Sequence, residues 1–156
     1  MPRIRNPSIA ALAFCILVGA AYAEDHKPAA SIPAAELIQP AELAAVLKSD
    51  SAAKPLILQV GFRTLYDQSH IPGSEYAGPG RSEEGLRMLR ERVAKLPKDT
   101  AIVLYCGCCP WSRCPNVAGA YDTLRELGFA KLKVLYIADN FGADWVDKGY
   151  PATQGS

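Results

Sequence analysis

Ala101-Ile-Val-Leu-Tyr105-Cys106-Gly-Cys108-Cys109-Pro-Trp111-Ser-Arg113-Cys114 is the stretch on which the reading of this chain turns. Its first five residues form an apolar run of strand length, and a cysteine-rich turn follows at once. Beyond the turn, Val117, Ala120, Tyr121, Leu124 and Leu127 recur at helical spacing, from a start near Asn116 to a stop at Gly128. A strand, a turn and a helix N-terminus set backbone N–H groups around whatever occupies the turn and favour negative charge there. A thiolate or a persulfide is such a charge. Four of the five cysteines lie in this one turn, which points to chemistry rather than packing.

Working outward, Leu56–Val60 and Lys133–Ile137 are two more apolar runs of strand length. Amphipathic helices are predicted over Pro40–Leu47 and from the cap Ser82 through Leu86, Leu89, Val93 and Leu96 to the stop at Pro97. A last short helix is expected over Ala143–Lys148, ended by Gly149. Apolar strands alternating with such helices predict an α/β domain, a parallel sheet covered on both faces, with the ligand site at the carboxyl ends of the strands. Cys106 directly follows the central run and stands at that end.

The first 23 residues read as an address. Arg3 and Arg5 precede the apolar stretch Ser8–Ala20, and Ala21-Tyr22-Ala23 offers a small-x-small cleavage pattern before Glu24 and Asp25. We therefore expect a signal peptide over 1–23 that carries Cys15 away, a linker over 24–37 rich in Ala and Pro, and one domain over 38–152. Removal of Arg3 and Arg5 takes the formal net charge of +1 just below zero, so no basic field remains for nucleic acid or an anionic membrane. No second apolar span follows, and the mature protein is expected in an exported compartment, the periplasm, where thiols pair unless a reductase partner keeps them reduced.

Three pieces of the chain, in order, carry a resemblance. They are Leu56–Tyr66 with His70-Ile-Pro-Gly-Ser74; Ile102-Val-Leu-Tyr-Cys106; and Leu124-Arg-Glu-Leu-Gly-Phe129 with Val134-Leu135, Trp145 and Gly149-Tyr-Pro151. On these the chain resembles the rhodanese-like domain family over roughly 38 to 152. The resemblance implies a mainly parallel five-stranded sheet with helices on both faces. It also implies a sulfurtransferase of the thiosulfate sulfurtransferase kind, which moves sulfane sulfur through a cysteine persulfide from a small donor to a thiophilic acceptor and needs no cofactor. His70 would then brace the fold rather than react.

Two departures accompany it. Gln59-Val60-Gly61 stands where the family has Asp-Val-Arg, and the loop is enlarged: relatives place an arginine five positions after the catalytic cysteine, whereas Arg113 is seven after Cys106 and five after Cys108. A strand end is a fixed point while a loop absorbs insertions cheaply. Cys106 is therefore the first candidate for the persulfide carrier, its thiol acidified by loop N–H groups and the helix dipole. Cys108 is the second. Arg113 would bind an anionic donor, and Trp111 would wall the pocket or anchor the loop.

The remaining sulfurs keep other readings open. Cys106 and Cys109 have Cys-x-x-Cys spacing, and Cys109 or Cys114 could resolve a disulfide in an exported thiol redox protein. Cys106, Cys108, Cys109 and Cys114 could hold a metal ion, the crowding on one loop suiting Cu(I) better than tetrahedral Zn(II). A permanent disulfide clamp on an inactive binding domain is the last reading.

Overall fold

The structure, a computed structural model, describes residues 32–50 and 54–155. The expected signal peptide over 1–23 with Cys15, the linker residues 24–31 and His26 lie outside them. The element order is β1 (Leu37–Ile38), α1 (Pro40–Lys48), β2 (Leu56–Gln59), α2 (Arg63–Gln68), β3 (Glu75–Tyr76), α3 (Glu83–Val93), β4 (Ile102–Tyr105), α4 (Pro115–Glu126) and β5 (Leu132–Leu135). The five strands form one parallel sheet in the order β1-β5-β4-β2-β3. Among the described residues no helix is long and apolar enough to cross a membrane.

β4 is central because its side chains can be buried on both sides. Ile102 and Leu104 enter one core with Leu89 and Val93 of α3 and Val117, Ala120 and Leu124 of α4. Val103 and Tyr105 enter the other with Leu43 and Ala44 of α1, Phe141 and Trp145. Each such side chain contributes roughly 1.5–3 kcal/mol through burial. An apolar run without polar alternation is what a strand covered on both faces requires.

The helices begin and end where local chemistry predicts. Ser82 Oγ accepts from the Gly85 N–H at 3.1 Å and caps α3. Pro40 and Pro115 occupy first-turn positions, where the missing N–H loses no hydrogen bond. The expected last helix is a single π-type turn over Gly142–Val146, whose start is tied by the Ala143 N–H to Asn140 Oδ1 at 3.0 Å.

Several short pieces carry no periodic signal and went unpredicted: β1, β3 and α2. The stretch expected as a linker over 24–37 contributes its last residues to the domain. Leu37 pairs with Val134, Ile32 is buried, and Glu36 accepts from Tyr121 at 2.5 Å and binds Arg125. At the other end of the domain, Thr153 and His70 exchange both backbone hydrogen bonds at 2.9 Å, and the Gly155 N–H donates to Asp67 O at 2.9 Å. Residues 153–155 thus lie beside the end of α2 and His70.

Helix α4 meets the loop before α3 almost backbone to backbone. A Cβ on Gly119 would lie 2.1 Å from Gly80 O, and one on Gly80 would lie 2.1 Å from Asn116 O. Two glycines set that distance, and with it the height of the α4 N-terminus beside β4.

Candidate active site

The loop after β4 is held at three points. Gly107 adopts φ +87°, a left-handed conformation that favours glycine, and its carbonyl accepts from the Phe141 N–H at 2.9 Å. The Trp111 N–H donates to Ile137 O at 2.9 Å while its ring packs against Tyr136, centroids 6.1 Å apart. Trp111 is thus an anchor of the loop. A single 3₁₀ turn over Trp111–Arg113 then delivers Cys114 to the N-cap of α4.

This path gathers the sulfurs. Cys106 Sγ and Cys108 Sγ are 3.2 Å apart, and Cys108 Sγ is 3.2 Å from Cys109 Sγ. The Sγ atoms of Cys106, Cys108 and Cys114 all lie within 4.8 Å of one another. All four are free thiols. Cys106 is 3 % exposed and Cys114 0 %, while Cys108 and Cys109 are partly exposed.

Two residues that sequence reasoning did not place in the site hold Cys106. Gln59 Nε2 donates to the Cys106 carbonyl at 3.0 Å, and its Oε1 accepts from the Gly61 N–H at 3.1 Å. A neutral amide therefore braces the loop from the end of β2. Gly61 has a second consequence, since a Cβ there would come within 2.7 Å of Cys106 Sγ. The sulfur occupies the space that a larger residue would fill. On the other side Asn116 Nδ2 donates to Cys106 Sγ at 3.5 Å, and Asn116 Oδ1 accepts from the Arg81 N–H at 3.2 Å. The only signal for Asn116 was a polar residue in the first turn of the helix that follows the cysteines.

Cys106 and Cys108 open onto a cleft of about 340 Å³. Gln59, Gln68, Ser69 and Asn140 supply its neutral polar groups, and Leu65, Phe141 and Val146 its apolar walls. Arg113 is exposed and does not line this cleft; its charge is felt at Cys109. His70 does not line it either. The His70 ring stacks on Tyr66 with centroids 3.9 Å apart, and its Nδ1 lies 2.8 Å from Tyr66 O. Tyr105 supports the same turn: its hydroxyl accepts from the Ile71 N–H at 3.2 Å and meets Ser74 Oγ at 3.1 Å, while burial pushes its pKa up to about 12.

Charge within the cluster settles differently from the sequence expectation. The Cys106 thiol is raised, first because its S–H donates to Cys108 and then by burial. Cys114 is raised by donation to Cys106 and Cys108. Cys109 is raised first by burial and next by its bond to Cys108. Cys108 moves the other way. S–H donation from Cys106 and then Cys114 outweighs its partial burial and holds it far below the usual thiol range. Cys108 is therefore the sulfur that gives up its proton most readily, and across the 3.2 Å Cys106–Cys108 contact either sulfur can be the donor.

A reactivity profile follows. Since a depressed pKa keeps the thiolate present as pH falls below the ordinary thiol range of about 8.5, limited iodoacetamide at pH 6 should alkylate Cys108 first, read by peptide mapping. Cys106→Ala and Cys114→Ala each remove a thiol donor, so either should shift this reaction to higher pH. Equal labelling of all four cysteines at pH 6 would contradict the charge placement.

The comparisons bear on what such a site belongs to. The Rhodanese-like domain model matches residues 39–138. No curated protein sequence matches the chain. The fold is similar to that of the Alr3790 protein from Anabaena sp. (23 % identity over 76 % of this chain and 92 % of that one, TM-score 0.58). It is likewise similar to BH2092 from Bacillus halodurans (19 %, 76 % of each chain, TM-score 0.58) and to hp1203 from Helicobacter pylori (15 %, 78 % and 91 %, TM-score 0.52). With a five-stranded parallel sheet, a cysteine at the end of its central strand and a match that spans most of the domain, the chain belongs to the rhodanese-like domain family.

Proposed function

We propose that this domain transfers sulfane sulfur, with Cys106 as the carrier and Cys108 as the sulfur that shares a proton with it across their 3.2 Å contact. One observation carries the reading: Cys106 Sγ lies at a cleft beyond the carboxyl end of β4, 3.2 Å from the sulfur best placed to hold a negative charge. Family membership supports the chemistry in outline, and the geometry suggests how it would run.

As Cys106 Sγ attacks the outer sulfur of a donor, its proton passes to the Cys108 thiolate. The new bond joins Cys106 Sγ to the donated sulfur. The bond that breaks joins that sulfur to the rest of the donor, which leaves as sulfite from thiosulfate or as a thiolate from an organic persulfide. Cys106 then bears a persulfide anion and Cys108 a thiol. Attack of a thiophilic acceptor on the outer sulfur returns the electron pair to Cys106, which recovers its proton from Cys108. Hydrogen bonds from Asn116 Nδ2 and the loop would steady the charge, as donors aimed at a developing anion do. Neither step needs an external oxidant or reductant.

The cleft also speaks to the donor. Its lining is neutral apart from the thiols, a few amide and hydroxyl groups set in mainly apolar walls, and Arg113 stands outside it. Such walls suit the organic part of a persulfide better than the thiosulfate dianion, whose desolvation nothing there offsets. Export remains part of the proposal, since an oxidising compartment would call for a reductase partner to keep the loop in its thiol state.

Intact-mass spectrometry tests the reading. After exposure of the reduced protein to glutathione persulfide or thiosulfate, the mass should rise by one sulfur atom. Cyanide should then remove that mass and yield thiocyanate, with faster loading from the organic donor. No added sulfur from either donor overturns the proposal.

A further inference from the structure

Sulfur transfer as written uses Cys106 and Cys108 as its reacting sulfurs and Cys114 only as a hydrogen-bond donor to them. Yet Cys114 is fully buried and its Sγ lies within 4.8 Å of both other sulfurs. We propose that Cys106, Cys108 and Cys114 form a three-coordinate thiolate site for a soft monovalent d¹⁰ ion, Cu(I). The inference goes beyond the transfer reading and does not depend on it.

Distance selects the coordination number. Metal–thiolate bonds of about 2.3 Å directed to the corners of a triangle place the sulfurs about 4.0 Å apart. The 3.2 Å between Cys106 and Cys108 falls short of that value by about 0.8 Å, and no pair of the trio exceeds 4.8 Å, so small shifts of side chains around one centre suffice. Cys109 touches Cys108 but does not join the trio, and no His, Asp or Glu joins it among the described residues. Zinc in a structural site takes four ligands and calcium or magnesium takes oxygens, whereas an all-thiolate set of three suits Cu(I).

The surroundings have the form of a supported metal site. Asn116 Nδ2 bonds the Cys106 sulfur and is itself fixed through Oδ1 by the Arg81 N–H, the outer-shell arrangement that orients ligands. Gly61 leaves the Cys106 sulfur its space, and the loop that carries Cys108 is pinned through Gly107 and Trp111. Cys106 and Cys108 border the cleft, Cys108 being the more exposed and the way in, while Cys114 lies behind them, away from water. Because Cys106 belongs to both schemes, bound Cu(I) and a persulfide exclude each other, and the ion would act as an inhibitor of transfer.

The test is anaerobic titration of the reduced, full-length protein with Cu(I) against the chelator bathocuproine disulfonate. The expected result is one tightly held Cu(I) per chain. Cys114→Ala should weaken binding by more than the roughly tenfold that loss of an outer-shell partner costs, and Cys109→Ser should leave the affinity within a factor of about two of wild type. X-ray absorption of the wild-type complex needs no variant to fold and should give three sulfurs and no nitrogen or oxygen ligand. Failure to compete with the chelator, a site of two or four sulfurs, or equal losses in Cys109→Ser and Cys114→Ala overturns the proposal. Sulfur loading by mass on the same preparation separates the two readings: uptake of sulfur without Cu(I) ends the metal site alone, and retention of Cu(I) without sulfur uptake ends the transfer reading alone.

Discussion

Cys106→Ser should reduce thiocyanate formation from sulfane donors and cyanide to the uncatalysed background while the domain stays folded. Serine forms no persulfide, so the loss is complete rather than graded. Folding should survive because the brace from Gln59 grips the Cys106 carbonyl, not its sulfur, and a serine hydroxyl can accept from Asn116 in the same place. A cost of about 1 kcal/mol is expected for the less favourable burial of a hydroxyl. Cys108→Ser should behave otherwise. It removes a proton acceptor and retains the carrier, so turnover should fall by roughly 10²-fold, the usual contribution of a positioned base. Its remaining activity should climb with pH, because Cys106 must then ionise unaided, whereas the wild type keeps its thiolate well into acid. A Cys106→Ser protein that still turns over, beside an inactive Cys108→Ser, would transfer the carrier's role to Cys108.

The largest expected effect on stability comes from Gly119→Ala. Alanine is the better helix former by about 1 kcal/mol, so an exposed helical glycine would gain from the change. Here the new Cβ would sit 2.1 Å from Gly80 O, a backbone atom that no rotamer change can move aside. Overpacking of this kind costs about 1–3 kcal/mol and sometimes more, and the absence of a flexible partner puts this site at the upper end. We expect a net loss of at least 2 kcal/mol by denaturant titration and a fall in Tm of roughly 10 °C. Sulfur loading should suffer too, because the same loop carries the Arg81 N–H that fixes Asn116 beside Cys106. A stable Gly119→Ala would mean that the loop yields freely.

These two cases mark where the sequence was informative and where it was not. Ile102-Val-Leu-Tyr105 announced its own place, since only a strand buried on both faces is apolar throughout, and the cysteine after it fell at the sheet's carboxyl edge as the topology requires. β1 and β3 escaped because two residues have no period. α2 escaped because Arg63-Thr-Leu-Tyr-Asp-Gln68 has no amphipathic repeat and takes its order from Tyr66, whose hydroxyl bonds Ser74 O at 2.7 Å.

The site was half legible. Cysteine identity and strand position brought Cys106 and Cys108 forward, but Gln59 reaches the Cys106 carbonyl across 47 residues of chain, a pairing no local pattern encodes. The placement of charge also needed coordinates. Helix dipole and loop amides argue for acidity at the strand end, yet S–H donors 3.2 Å away act more strongly, and which sulfur accepts them depends on the loop's path.

The paired backbone bonds between His70 and Thr153 have a mechanical consequence. The wall formed by Leu65, Gln68 and Ser69 ends at that junction, and the Gly155 N–H fastens the same helix through Asp67 O. With this end of the wall latched twice, at Asp67 and at His70, it cannot swing away from the cleft without first unzipping residues 153–155. Under the proposed transfer reaction, donors would then be chosen by how they fit a rigid slot rather than by a jaw that shuts behind them, and trimming residues 152–155 would give the slot a hinge.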